Sequence, residues 1–82
     1  MTVSAQISVY PLRQEHLGPA VESVRSALEE HGLTPHDGPM STTVTGEGGI
    51  MFAALADAFT KAASSGELVM AITISNACPV LS

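Results

Sequence analysis

The sequence is poor in most of the residues that build a recognisable chemical centre. It has one cysteine, no tryptophan, one tyrosine, two phenylalanines and only three lysines and arginines. A lone Cys78 excludes an internal disulfide and leaves no Cys/His spacing of the kind that holds zinc. No basic residue stands near it to favour a thiolate, so Cys78 reads as a passive thiol. Arg13, Arg25 and Lys61 face eight acidic residues, for a net charge of −5. Nucleic acid is therefore not an expected partner, because phosphate contacts need clustered cations and base stacking needs aromatic rings. The excess of acid keeps an apolar domain soluble and suits a cationic partner. No apolar run approaches the roughly 20 residues that span a bilayer. Met1 to Gln6 lacks the basic start and hydrophobic run of a signal peptide, so membrane insertion is not expected and a cytoplasmic location is.

What remains is aliphatic. Apolar residues make up 45% of the 82 positions, and the mean hydropathy is +0.30. That length supports a single domain over 1–82. A chain of this size buries roughly 60–65% of its unfolded surface, which makes it marginal alone. With neither disulfide nor metal available, self-association is the expected supplement.

Val3, Ala5, Ile7 and Val9 alternate with Ser4, Gln6, Ser8 and Tyr10, which predicts a half-buried strand ended by Pro11. From Leu17 the period lengthens. Leu17, Ala20, Val21, Val24, Ala27 and Leu28 form one helical stripe, with Pro19 in the first turn and His31-Gly32 at the end. Leu33 to Asp37 is a short strand that Pro35 assigns to a sheet edge. Gly38-Pro39 punctuates the chain, and Ser41 to Gly46 is a threonine-rich strand. Gly46, Gly48 and Gly49 permit a tight bend into a helix from about Gly49 to Ala63. Two lines of that helix, Met51-Leu55-Ala58-Ala62 and Phe52-Ala56-Phe59-Ala63, form a broad stripe suited to lying on a sheet. Asp57 and Lys61 are spaced to pair on its outer surface.

The last strand, Glu67 to Ser75, is apolar on both faces, with Leu68, Met70, Ile72 and Ile74 on one and Val69, Ala71, Thr73 and Ser75 on the other. Asn76 to Pro79 terminates it. The order strand, helix, strand, strand, helix, strand is that of an α+β, ferredoxin-like βαββαβ sandwich. Two helices cover one face of a four-stranded antiparallel sheet, with the first and third strands central. The uncovered face and the apolar fourth strand call for a second copy, as a homodimer or homotetramer.

Catalytic and metal chemistry find little support. His16, His31 and His36 include no pair four residues apart, so no metal site is expected. His36-Asp37 resembles a general-base pair, but neighbours on a strand face opposite ways. Gly46-Glu47-Gly48-Gly49 at a strand-to-helix turn suggests a phosphate loop, yet it lacks the lysine and Glu47 repels phosphate. The hydroxyls of Ser41, Thr42, Thr43 and Thr45 alternate across the third strand. Those facing inward need partners that a small polar ligand could supply, or else the backbone or water.

Ala5 to Pro11, Gly38 to Glu47 with Met51-Phe52, and Ile74 to Pro79 together resemble the thiamine/hydroxymethylpyrimidine-binding, YkoF-like proteins across nearly the whole chain. The resemblance implies non-enzymatic binding of thiamine or its pyrimidine half between helices and sheet. It also implies no cofactor beyond that ligand, and oligomers formed through the sheet. Some relatives carry two such units in tandem; here self-assembly would replace the second. In this chain Ser8, Ser41, Thr42, Thr43, Ser75 and Asn76 would meet the aminopyrimidine, Tyr10, Met40 and Phe52 would enclose the ring, and Glu47 would face the thiazolium. Gly48-Gly49 departs from the more acidic helix start usual there. The competing expectations are a small dimeric ferredoxin-like enzyme of monooxygenase or isomerase type, using His36, Asp37 and Glu47, and a ligand-sensing regulatory module.

Overall fold

The structure is a computed structural model that describes residues 1–13 and 18–77. Its elements are β1 (Thr2–Pro11), α1 (Gly18–Glu30), β2 (His36–Asp37), β3 (Thr42–Glu47), α2 (Gly48–Ala63) and β4 (Leu68–Ser75). The sheet runs β2-β3-β1-β4, and every neighbouring pair is antiparallel. This is the ferredoxin-like sandwich, with β1 and β3 inside and β2 and β4 at the edges. The expectations attached to His16, Leu17, Cys78 and Pro79 lie outside the described residues.

Register decides which side chains meet. Ala5 stands opposite Val44 and Ile74, and Ile7 opposite Thr42 and Ile72. Val3, Ala5, Ile7 and Val44 are buried beneath Ala20, Val24, Ala27 and Leu28 of α1 and Met51, Ala54, Leu55, Ala58 and Ala62 of α2. Small alanines let the two helices lie close. The opposite face carries Ser4, Gln6, Ser8 and Tyr10 from β1, with Thr43 and Thr45 from β3 and Val69, Ala71, Thr73 and Ser75 from β4 in register.

The end of α1 is fixed by its backbone. Gly32 takes φ +82°, its N–H reaches Glu29 O at 2.9 Å, and Leu33 N–H reaches Leu28 O at 3.0 Å. That pair of bonds is a Schellman ending, which needs the left-handed residue glycine supplies.

Three expectations are corrected. The second apolar line of α2 faces outward: Phe52 is 59% and Phe59 46% exposed. The first line alone is wide enough to cover two central strands, so the second has nothing beneath it. Val21 is likewise exposed at the margin of α1. The tight bend at Gly46, Gly48 and Gly49 is present but does not use glycine's left-handed freedom, since positive φ among the described glycines is confined to Gly32 and Gly66. The chain passes from β3 into α2 without an intervening loop.

Candidate functional site

The space between helices and sheet, where the ligand was expected, is filled by the aliphatic core. Polar side chains instead gather on the uncovered face of the sheet. Gln6 lies at its middle, directly between Thr43 and Thr73. Its Nε2 donates to Ser41 Oγ at 3.1 Å. Ser8 Oγ donates to Met40 O at 3.3 Å, and Thr43 Oγ1 donates to His36 O at 3.3 Å.

These bonds settle what the patch offers. A hydroxyl has one proton and two lone pairs. Ser8 and Thr43 direct their protons at backbone carbonyls, so each presents lone pairs to the exterior. Ser41 accepts from Gln6 and keeps its own proton to give. The Gln6 carboxamide retains an oxygen and one N–H. The face is therefore rich in acceptors, with a donor beside them. Such a surface suits a flat molecule bearing an amino group.

Of the ten residues expected at the site, Ser8, Met40, Ser41 and Thr43 are brought together here. Tyr10 stands two residues along β1 from Ser8, on the same face and 50% exposed. Ser75 shares the face but pairs with Ser4, four residues or about 14 Å along the strand from Ser8, and its Oγ accepts from Ala77 N–H at 3.0 Å. Asn76 reaches Met1 Sδ at 3.1 Å at that same distant end.

The other three point elsewhere. Thr42 stands opposite Ile7 and Asp37, so its side chain is on the helix side, where Oγ1 donates to Asp37 Oδ1 at 3.2 Å. Phe52 is on the outward surface of α2 and cannot close over a ring held by Tyr10. Glu47 is the N-cap of α2, accepting from Ile50 N–H at 3.1 Å. A carboxylate at the positive end of a helix dipole is well placed to stabilise that helix, and it occupies the spot a phosphate would need.

Gln6 was passed over in the sequence, although the alternation through Ser4, Gln6 and Ser8 already placed it on the polar face. Its neighbours on β3 and β4 depend on strand register, which no local pattern specifies. His36 faces Thr43 while Asp37 faces Thr42 and bonds Arg25 Nη1 at 2.6 Å. His36, Asp37 and Glu47 thus diverge rather than converge. Among the described residues, no group of three His, Cys, Asp or Glu side chains could hold a metal ion.

One depression lies away from this face, with a volume of about 570 Å³, lined by Leu12, Phe59, Ala63, Ser64, Gly66, Glu67 and Leu68. None of the ten expected residues is among them. No described helix is long and apolar enough to cross a membrane.

A family profile described as "Thiamine-binding protein" matches residues 5–76. No curated protein matches the chain. Solved structures do. A Streptococcus pneumoniae protein aligns over 98% of this chain and 91% of its own, with TM-score 0.87 and 21% identity. A Thermotoga maritima protein, described as a candidate for thiamine biosynthesis or salvage, aligns over 92% and 83%, with TM-score 0.80 and 19% identity. A domain of unknown function from Bacillus cereus aligns over 92% and 75%, with TM-score 0.77 and 22% identity. These likenesses establish a shared fold.

Proposed function

Since the chain belongs to the thiamine-binding protein family, we propose that it binds thiamine or its hydroxymethylpyrimidine half, without catalysis, on the uncovered face of its sheet. The observation that carries this reading is the acceptor-rich patch of Gln6, Ser8, Ser41 and Thr43. An aminopyrimidine brings donors and ring-nitrogen acceptors to match it, and Tyr10 supplies apolar surface at its margin. The net charge of −5 suits a cationic thiazolium. The divergence of His36, Asp37 and Glu47 favours binding over an enzymatic role. The protein acts as a cytoplasmic carrier or sensor.

A flat, open sheet face binds small molecules poorly unless something covers it. A second copy is the cover. β4 pairs only with β1 among the described strands, and its eight residues, Leu68 to Ser75, include neither a charge nor a proline. Protein edges are normally protected against pairing by such residues, so an unprotected edge of this length is suited to pairing with its own copy. Ile72, 41% exposed on the helix side of β4, would be buried by that contact. Homodimers joined at β4 extend the sheet, and tetramers that also bring sheet faces together supply the cover.

Calorimetric titration with thiamine and with hydroxymethylpyrimidine, separately, tests the ligand. Saturable heat from either is expected; silence from both refutes the reading.

A further inference from the structure

Gln6 is the one side chain of the patch that presents an acceptor and a donor side by side in a single rigid plane. Its Nε2 donates to Ser41 Oγ at 3.1 Å, an orientation that leaves Oε1 and the second N–H unconstrained. The residue lies on central strand β1, flanked by Thr43 and Thr73, so the amide projects from the middle of the sheet rather than from a loose margin. A planar carboxamide pairs in two parallel hydrogen bonds with a base edge that carries an amino group next to a ring nitrogen.

We infer that Gln6 is the specificity-determining residue of this face, reading the amino-and-ring-nitrogen edge of an aminopyrimidine. This rests on the ligand class proposed above. Oε1 accepts from the exocyclic amine and the free N–H donates to the adjacent ring nitrogen. Ser8 Oγ and Thr43 Oγ1, both presenting lone pairs, accept from whatever further protons the ligand carries. A pyrimidine with oxygen in place of the amine, and with its ring nitrogen protonated, presents the reverse pattern at Oε1 and the free N–H. With the amide held as it lies, Oε1 and the free N–H would then face like partners, which disfavours that compound. Ser41 is the positioning residue, since its hydroxyl anchors one edge of the amide.

The test compares thiamine with its 4-oxo analogue on the wild-type protein, Gln6→Ala and Ser41→Ala. Wild type is expected to prefer the amino compound by tenfold or more. Gln6→Ala should lose most of the affinity for thiamine and reduce the preference to within about threefold. Ser41→Ala frees the amide to turn over and should weaken the preference more than the affinity. Gln6 is exposed, so the melting temperature of Gln6→Ala should match wild type, which separates lost recognition from lost folding. If wild type binds thiamine and Gln6→Ala keeps both its affinity and its preference, the assignment is overturned while the proposed function stands. If wild type binds neither compound, the proposed function fails and this assignment fails with it.

Discussion

Leu33 lies directly over Gly46: a Cβ added to the glycine would sit 2.5 Å from Leu33 Cδ2. Leu33 is the first residue after the left-handed Gly32, and Gly46 stands opposite Val3 on the helix side of β3. The glycine therefore serves close approach rather than a left-handed bend, and a methyl there would make the end of the Leu33 side chain move aside. Gly46→Ala should destabilise the fold by about 1–3 kcal/mol through overpacking. Leu33→Ala alone should cost about 2–5 kcal/mol. The double variant should cost clearly less than the sum of the two, because the smaller side chain vacates the space the new methyl needs. Urea denaturation of the three variants measures this, and strict additivity would refute the contact.

Thr42 and Thr43 are adjacent in sequence and point to opposite sides of the sheet, so their alanine variants should separate. Thr43→Ala removes an acceptor from the uncovered face, which at about 0.5–1.5 kcal/mol per hydrogen bond should weaken thiamine binding by roughly two- to tenfold. Thr42→Ala removes only the bond to Asp37 and should leave affinity within about twofold. Equal losses from both would contradict the register.

A charge network joins the helices where α1 ends. His31 Nε2 is 3.2 Å from Asp57 Oδ2, and Lys61 Nζ lies 3.1 Å from that same oxygen and 2.5 Å from Glu30 Oε1. The hydrogen bond from Lys61, helped by His31 and opposed by some burial, holds the Asp57 carboxyl below its usual value. Glu30 first and Asp57 second raise the Lys61 ammonium above its own. A lowered carboxyl contributes stability above the unfolded value of about 3.9 and loses it as pH falls through the folded value. A raised amine contributes below about 10.4 and loses it as pH rises through the folded value. The stability gap between wild type and Asp57→Asn should thus narrow as pH falls below about 4. Urea midpoints through that fall in pH provide the check; a gap that widens in acid would reverse the assigned sign.

Ile72→Lys places a charge beside the free edge of β4, at a position already 41% exposed. Sedimentation should give at least twice the 8.4 kDa chain mass for wild type and the single-chain mass for the variant. A wild-type monomer would remove β4 as the contact.

Much of the fold was legible from local pattern. The alternation in β1, the stripe of α1 and the glycine that ends it each report a single element and its solvent-facing side. The site was less legible because it depends on pairing between strands. Whether Thr42 or Thr43 faces Gln6 is decided by a one-residue choice of register. Glu47 could not be identified as a helix cap until α2 was seen to begin at Gly48. Phe52 and Phe59 misled for a related reason: apolar periodicity shows that a face is hydrophobic, and does not say which of two neighbouring lines has a sheet beneath it.

The hydroxyl protons of Ser8 and Thr43 are already turned toward Met40 O and His36 O before any ligand arrives. A surface so arranged has little to reorganise on binding, and rigid sites of this kind lose little entropy when they fill. Occupancy then leaves the shape of one subunit nearly unchanged, so a single copy is a poor transmitter. If the protein binds its ligand here and self-associates as proposed, a report of occupancy would have to be carried by how tightly the copies hold one another.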